Sequence, residues 1–184
     1  MTKSLRVVQR NFTECFGAIS LVLENRLIQP ALVLLYSTMD AAASLERARS
    51  GEDVSSTDFR KWTTRYVLRD RRLQCTALEL YGARCGVLHS FSAHSRLSRG
   101  GKCRTLGYAW GEAKVEDLRA FLETERTSNV VGVQVEHLAE ALEAGFYLFV
   151  KEVRKDKRRL LKVLANAQQQ FDEMPVVSQP RRRG

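Results

Sequence analysis

Proline is nearly missing from this chain, with three residues in 184, and only Pro30 lies ahead of position 175. Little therefore interrupts helix formation over most of the sequence. Long apolar runs are missing too. The most apolar stretch, GAISLVLENRLIQPALVLL, is broken by Glu24, Arg26 and Pro30, which excludes it as a spanning segment. The opening MTKSLRVVQRNF lacks the apolar core of a signal peptide. Cysteine is limited to Cys15, Cys75, Cys85 and Cys103, with no C-x-x-C spacing and no histidine placed to complete a zinc site. These read as reduced thiols of a cytoplasmic protein without a metal or other cofactor. No glycine loop precedes a Lys-Ser/Thr pair, and neither H-E-x-x-H nor G-x-S-x-G occurs, so the common phosphate-loop, zinc-protease and serine-hydrolase classes are excluded.

Basic charge, by contrast, is plentiful. Thirty Lys and Arg stand against twenty-one Asp and Glu, a net +9, and arginine supplies most of it. Such a surface attracts polyanions, RNA or DNA first, an anionic membrane surface or acidic protein after them. With 44% hydrophobic residues the chain carries enough apolar material for one buried core.

Leu5, Val8, Phe12, Cys15/Phe16, Ile19 and Val22/Leu23 recur at steps of three and four, which predicts one long amphipathic helix. Pro30 suits the first turn of a second helix, running through Leu34, Leu35, Met39, Ala42 and Leu45. So short a break folds the two into an antiparallel hairpin. The polar SGEDVSST precedes and caps a third helix over residues 59–68, with Trp62 and Tyr66 on one side. A fourth is predicted from about Cys75 to Leu88. HSFSAHSRLSRGGK reads as a loop bending at Gly100-Gly101. CRTLGYAWG is either a short extended piece or an irregular turn, and its two aromatics either stack a base or join the core. Residues 115–126 are predicted helical, TSNVVG a break, and Val135 onward a long helix that kinks near Asp156 and reaches about Phe171. No β-sheet pattern emerges. The expectation is an all-α bundle over residues 1–172, with a disordered basic tail over 173–184.

Candidate chemistry concentrates in ARCGVLHSFSAHSRLSRGG, beginning at Ala83. Carboxylate pairs such as Glu116-Asp117 and Asp172-Glu173 read as solvated charge. His137 lies within a helix and reads as structural. The run KEVRKDKRRLLK has seven cations and reads equally as a nucleic-acid face or a solvated one. Arg84 and His89, in R-C-G-V-L-H, combine a permanent planar cation with a group that exchanges protons near neutral pH. An arginine can hold phosphate oxygens while a histidine takes the 2′-hydroxyl proton of RNA, with no metal.

The spacing of Arg84 and His89, LLYSTMDAAASLE upstream and YAWG downstream resemble the HEPN superfamily, whose signature is Arg, four to six residues, then His. The resemblance implies a HEPN-like bundle of about five to six helices with a Gly/Ser/Arg-rich loop after the motif helix. It implies a metal-independent endoribonuclease, a toxin or defence effector, leaving 2′,3′-cyclic phosphate and 5′-hydroxyl ends. It also implies a homodimer with a composite site, RNA as partner, and a possible antitoxin protein. Arg84 and His89 take the catalytic roles. Ser90, His94 and Cys85 are auxiliary candidates, and Arg96, Arg99, Lys102 and Arg104 would hold the RNA backbone. Cys85 departs from the polar residue that commonly follows the family's arginine, and His89-Ser90-Phe91 departs from the His-x-Tyr of toxins silenced by tyrosine modification. A catalytically inactive domain binding RNA, nucleotide or a partner protein is the alternative, with a DNA-binding regulator behind it.

Five helical positions turn about 500°, so Arg84 and His89 are expected to diverge by roughly 140° on one helix. Convergence then requires either a loosened helix after Gly86 or a second copy of the motif helix. Gly82 and Gly86 would let two such helices approach closely, or else they pack tightly inside one chain.

Overall fold

The computed structural model describes residues 4–48 and 52–168. The all-α expectation holds: among the described residues 68% are helical, in eight helices, with one small two-stranded parallel sheet. The expected tail over 173–184 lies outside the described residues.

Helix α1 (Leu5–Glu24) starts at Ser4, whose side chain accepts from the Val7 N–H, and buries Val8, Phe12, Phe16 and Ile19. It ends at Arg26, a left-handed residue with φ +58°. Bonds from Arg26 N–H to Leu23 and from Leu27 N–H to Val22 close the final turn. Helix α2 (Ile28–Glu46) takes Pro30 in its first turn and runs through the centre of the bundle. Leu35, Tyr36, Met39, Ala42 and Leu45 are fully buried there, and α2 touches α1, α3, α4, α7 and α8.

Helices α3 (Ser56–Tyr66) and α4 (Ala77–Ser90) each begin with a reciprocal capping box, Ser55 with Asp58 and Thr76 with Glu79. The stretch read as a loop contains one short helix, α5 (Arg96–Arg99). Strand β1 (Thr105–Ala109), helix α6 (Val115–Thr124) and strand β2 (Val130–Gln134) follow as a β–α–β unit, the strands pairing in parallel. CRTLGYAWG is thus an extended piece, and TSNVVG runs into a strand. Gly107 and Gly132 pair across the sheet, and a Cβ on Gly132 would press on Val115, Leu118 and Arg119 of α6. Glycine there lets the helix sit against the strands. Tyr108 goes to the core, its hydroxyl 2.6 Å from that of buried Tyr36, whereas Trp110 stays exposed.

Helix α7 (Val135–Lys155) packs on α1, α2 and α3. Phe146 stacks on Phe12 at 4.2 Å, and Phe149 meets Trp62 and Tyr66 edge-on. The expected kink is a break at Asp156, whose carboxylate accepts from the Arg158 and Arg159 N–H groups and caps α8 (Lys157–Ala167). Residues 169–171 lie outside the described residues. Within the seven-cation run, Arg159 turns inward to Glu46, Glu152 and Tyr66, while Lys151, Lys155, Lys157 and Arg158 are exposed. Among the described residues, no helix is long and apolar enough to cross a membrane.

Candidate functional site

Helix α4 carries the Arg–His pair, and the segment after it folds back along the same helix. The helix remains regular to Ser90 and stops at Phe91, which adopts φ +48° and is 72% exposed. The chain then descends as a strap. A Cβ on Gly86 would collide with the Ser92 carbonyl, and one on Gly82 would lie 2.9 Å from the Cys103 sulfur. Arg104 completes the strap on Glu79, one turn into α4, with Nε to Oε1 at 2.5 Å. Both glycines are therefore covered by their own chain. The reading in which they admit a second copy of the motif helix is corrected: the small residues make room for the strap.

The expected divergence of Arg84 and His89 is also corrected. Arg84 is long enough to cross the intervening turn, and its Nη1 lies 3.3 Å from His89 Nε2. The helix has not loosened, and no second copy is required for the contact. An arginine nitrogen can only donate, so any hydrogen bond in this contact is accepted by Nε2.

Asp40, on α2, is the residue that sequence spacing could not connect to this pair. Its Oδ2 accepts from Arg84 Nε at 2.7 Å and also from Nη2. The two side chains are 19% and 20% exposed. Burial raises the Asp40 carboxyl above its ordinary range despite the opposing guanidinium. Burial also works against the Arg84 cation, but the bond to Asp40 outweighs it and the net shift is upward. Two of the three guanidinium nitrogens are thus anchored, and Nη1 is left aimed at the exposed His89.

The other candidates divide. The Cys85 thiol sits against Tyr81 and Arg84; burial and then Cys85 raise the Tyr81 phenol. Ser90 Oγ donates to the Gly86 carbonyl inside its own helix. His94 is exposed, with Nδ1 3.3 Å from Thr105 Oγ1; no bond joins it to His89. Arg96, Arg99 and Lys102 project into solvent from the strap. Arg104, expected beside them on RNA, instead spends its charge on Glu79, whose side chain is 5% exposed. His137 is half-buried on α7, near Asp70. Phe91, overlooked as a candidate, exposes an aromatic face two positions beyond His89. Among the described residues, no three His, Cys, Asp or Glu side chains gather as metal ligands.

The arrangement can hold an oxyanion on Arg84 and exchange a proton at His89 on an open surface. The chain matches no protein-family model, no curated protein and no solved structure.

Proposed function

We propose that the protein is a HEPN-type endoribonuclease cutting RNA without a metal, with Arg84 and His89 as catalytic residues. The observation carrying this reading is the 3.3 Å approach of Arg84 Nη1 to His89 Nε2 at an exposed helix end. An incoming phosphodiester competes for Nη1 and takes it, because a charged oxygen is a better acceptor than a neutral ring. Nε2 is then free to accept the 2′-hydroxyl proton. The 2′-oxygen bonds to phosphorus while the P–O5′ bond breaks, and the imidazolium returns its proton to the departing 5′-oxygen. The products are a 2′,3′-cyclic phosphate and a 5′-hydroxyl. Arg84 compensates the phosphorane charge, Phe91 offers a stacking face to an adjacent base, and Asp40 positions Arg84. A toxin or defence role, an antitoxin and a homodimer follow from the family resemblance alone.

The test is incubation of the purified chain with structured and unstructured end-labelled RNAs in EDTA. Cleavage with cyclic-phosphate ends is expected, falling at least a hundredfold in His89→Ala and Arg84→Ala. Equal activity in those variants refutes the assignment.

A second reading has its own support. Asp40 already satisfies Arg84, and Cys85 stands where the family commonly has a stronger polar group. A catalytically silent domain of this kind binds RNA through the strap, and both variants then bind like the parent while none cleaves.

A further inference from the structure

A cleft of about 490 Å³ opens where the end of α6 meets the start of β2, and three arginines line it: Arg104, Arg119 and Arg126. Glu79, which Arg104 grips, lies ten positions before His89 on α4, about 15 Å of helix rise, and no residue of α4 lines the cleft. It is a separate place on the surface.

Arg104 is paired with Glu79, but the other two arginines are incompletely satisfied. Arg119 Nη2 reaches the Arg72 carbonyl at 3.2 Å, but its nearest carboxylate, Glu116, is 3.9 Å from Nη1. Its Nε is buried with no partner. The exposed Arg126 guanidinium has no carboxylate partner among the described residues. One acid, Glu123, shares the cleft, so cations outnumber anions there even with Arg104 partly neutralised. Guanidinium groups match phosphate oxygens, and Arg119 and Arg126 share this lining.

The rest of the lining specifies more than a bare anion. Leu122 and Val131 supply an apolar wall, and Gln74 and Ser128 supply donors and acceptors. The volume falls in the range of small-ligand sites. A planar ring against that wall, with its edge read by the Gln74 amide and its phosphate among the arginines, uses all three features.

We infer that the cleft bounded by Arg104, Arg119 and Arg126 binds a nucleoside phosphate, either a free mononucleotide or the phosphorylated end of an RNA strand. It does not rest on the cleavage reading.

Calorimetric titration of the full chain with AMP, GMP, CMP and UMP tests it, beside inorganic phosphate and the four nucleosides. At least one mononucleotide is expected to bind tenfold or more tightly than phosphate and than its own nucleoside. Arg126→Gly removes a cation at a residue whose φ of +50° suits glycine, and should weaken that binding about tenfold. Arg119→Gln should do the same, while His89→Ala leaves it unchanged even where it abolishes cleavage. Competition separates the sources: displacement by a 5′-phosphorylated hexamer, and not by its 5′-hydroxyl counterpart, identifies a strand end, whereas displacement by mononucleotides alone identifies a free nucleotide. The inference fails if no mononucleotide saturates the protein, if phosphate binds as tightly, or if both arginine variants bind like the parent.

Discussion

Glu79 shows how much one side chain can hold. Its carboxylate accepts from the Thr76 N–H at 2.7 Å, closing the cap of α4, and from Arg104, closing the strap. Burial pushes this carboxyl up, yet Arg104 and the Thr76 bonds prevail and hold it below its ordinary 4.5. A carboxyl depressed on folding stabilises the native state above its unfolded pKa and loses that contribution as pH falls through the folded one. Glu79→Gln is therefore expected to cost about 1–3 kcal/mol at pH 7, and the gap to the parent should narrow below about pH 4. Urea denaturation at pH 7 and pH 3 checks this. A gap that stays constant with pH would mean the ionised carboxylate contributes nothing. Neither the Thr76 cap nor the Arg104 bond was read from the sequence, which started this helix at about Cys75. The charge assigned to RNA is held by an acid 25 positions upstream, and residue type alone carries no record of such a partner.

At the scale of elements, α1 and α4 place glycine in opposite circumstances. Gly17 lies exposed within α1, and a Cβ there meets nothing within 4 Å. Gly17→Ala should stabilise the protein by about 0.5–1 kcal/mol, because alanine loses less backbone entropy in a helix. Gly86 lies buried in α4 beneath the Ser92 carbonyl. Gly86→Ala should cost about 1–3 kcal/mol by overpacking and lift the strap that leads from His89. Thermal unfolding of both variants measures the contrast; a strap that tolerates alanine at 86 is not seated on α4 as described. The helical periods of α1 and α7 could be read directly, since each buries one stripe against the core, and α2 could be read from its apolar length and Pro30. The strands could not. Each is five residues long with a central glycine, so neither shows the alternation of a half-exposed strand, and their pairing depends on a partner 25 residues away.

For the whole molecule, the excess of positive charge matters where it remains unpaired. Arg84, Arg104 and Arg159 serve internal carboxylates, while Arg96, Arg99 and Lys102 stay exposed on the strap. With three phosphates neutralised there, affinity for single-stranded RNA should fall about twentyfold between 50 and 200 mM salt. Replacing those three by alanine should flatten the slope of log affinity against log salt; an unchanged slope would place RNA elsewhere. Net charge counts the cations, and the fold selects which of them remain unpaired at the surface.

What the sequence determined by itself was local. Helix positions and the polar cap of α3 follow from intervals of three to five residues, within which backbone geometry leaves few choices; that Arg84 reaches His89 does not. Tertiary structure alone decided that Asp40 anchors Arg84 across 44 positions, that the strap covers Gly82 and Gly86, and that three arginines from separated segments meet in one cleft. Those contacts depend on how buried faces pack, and packing joins residues whose separation along the chain carries no information about their distance in space.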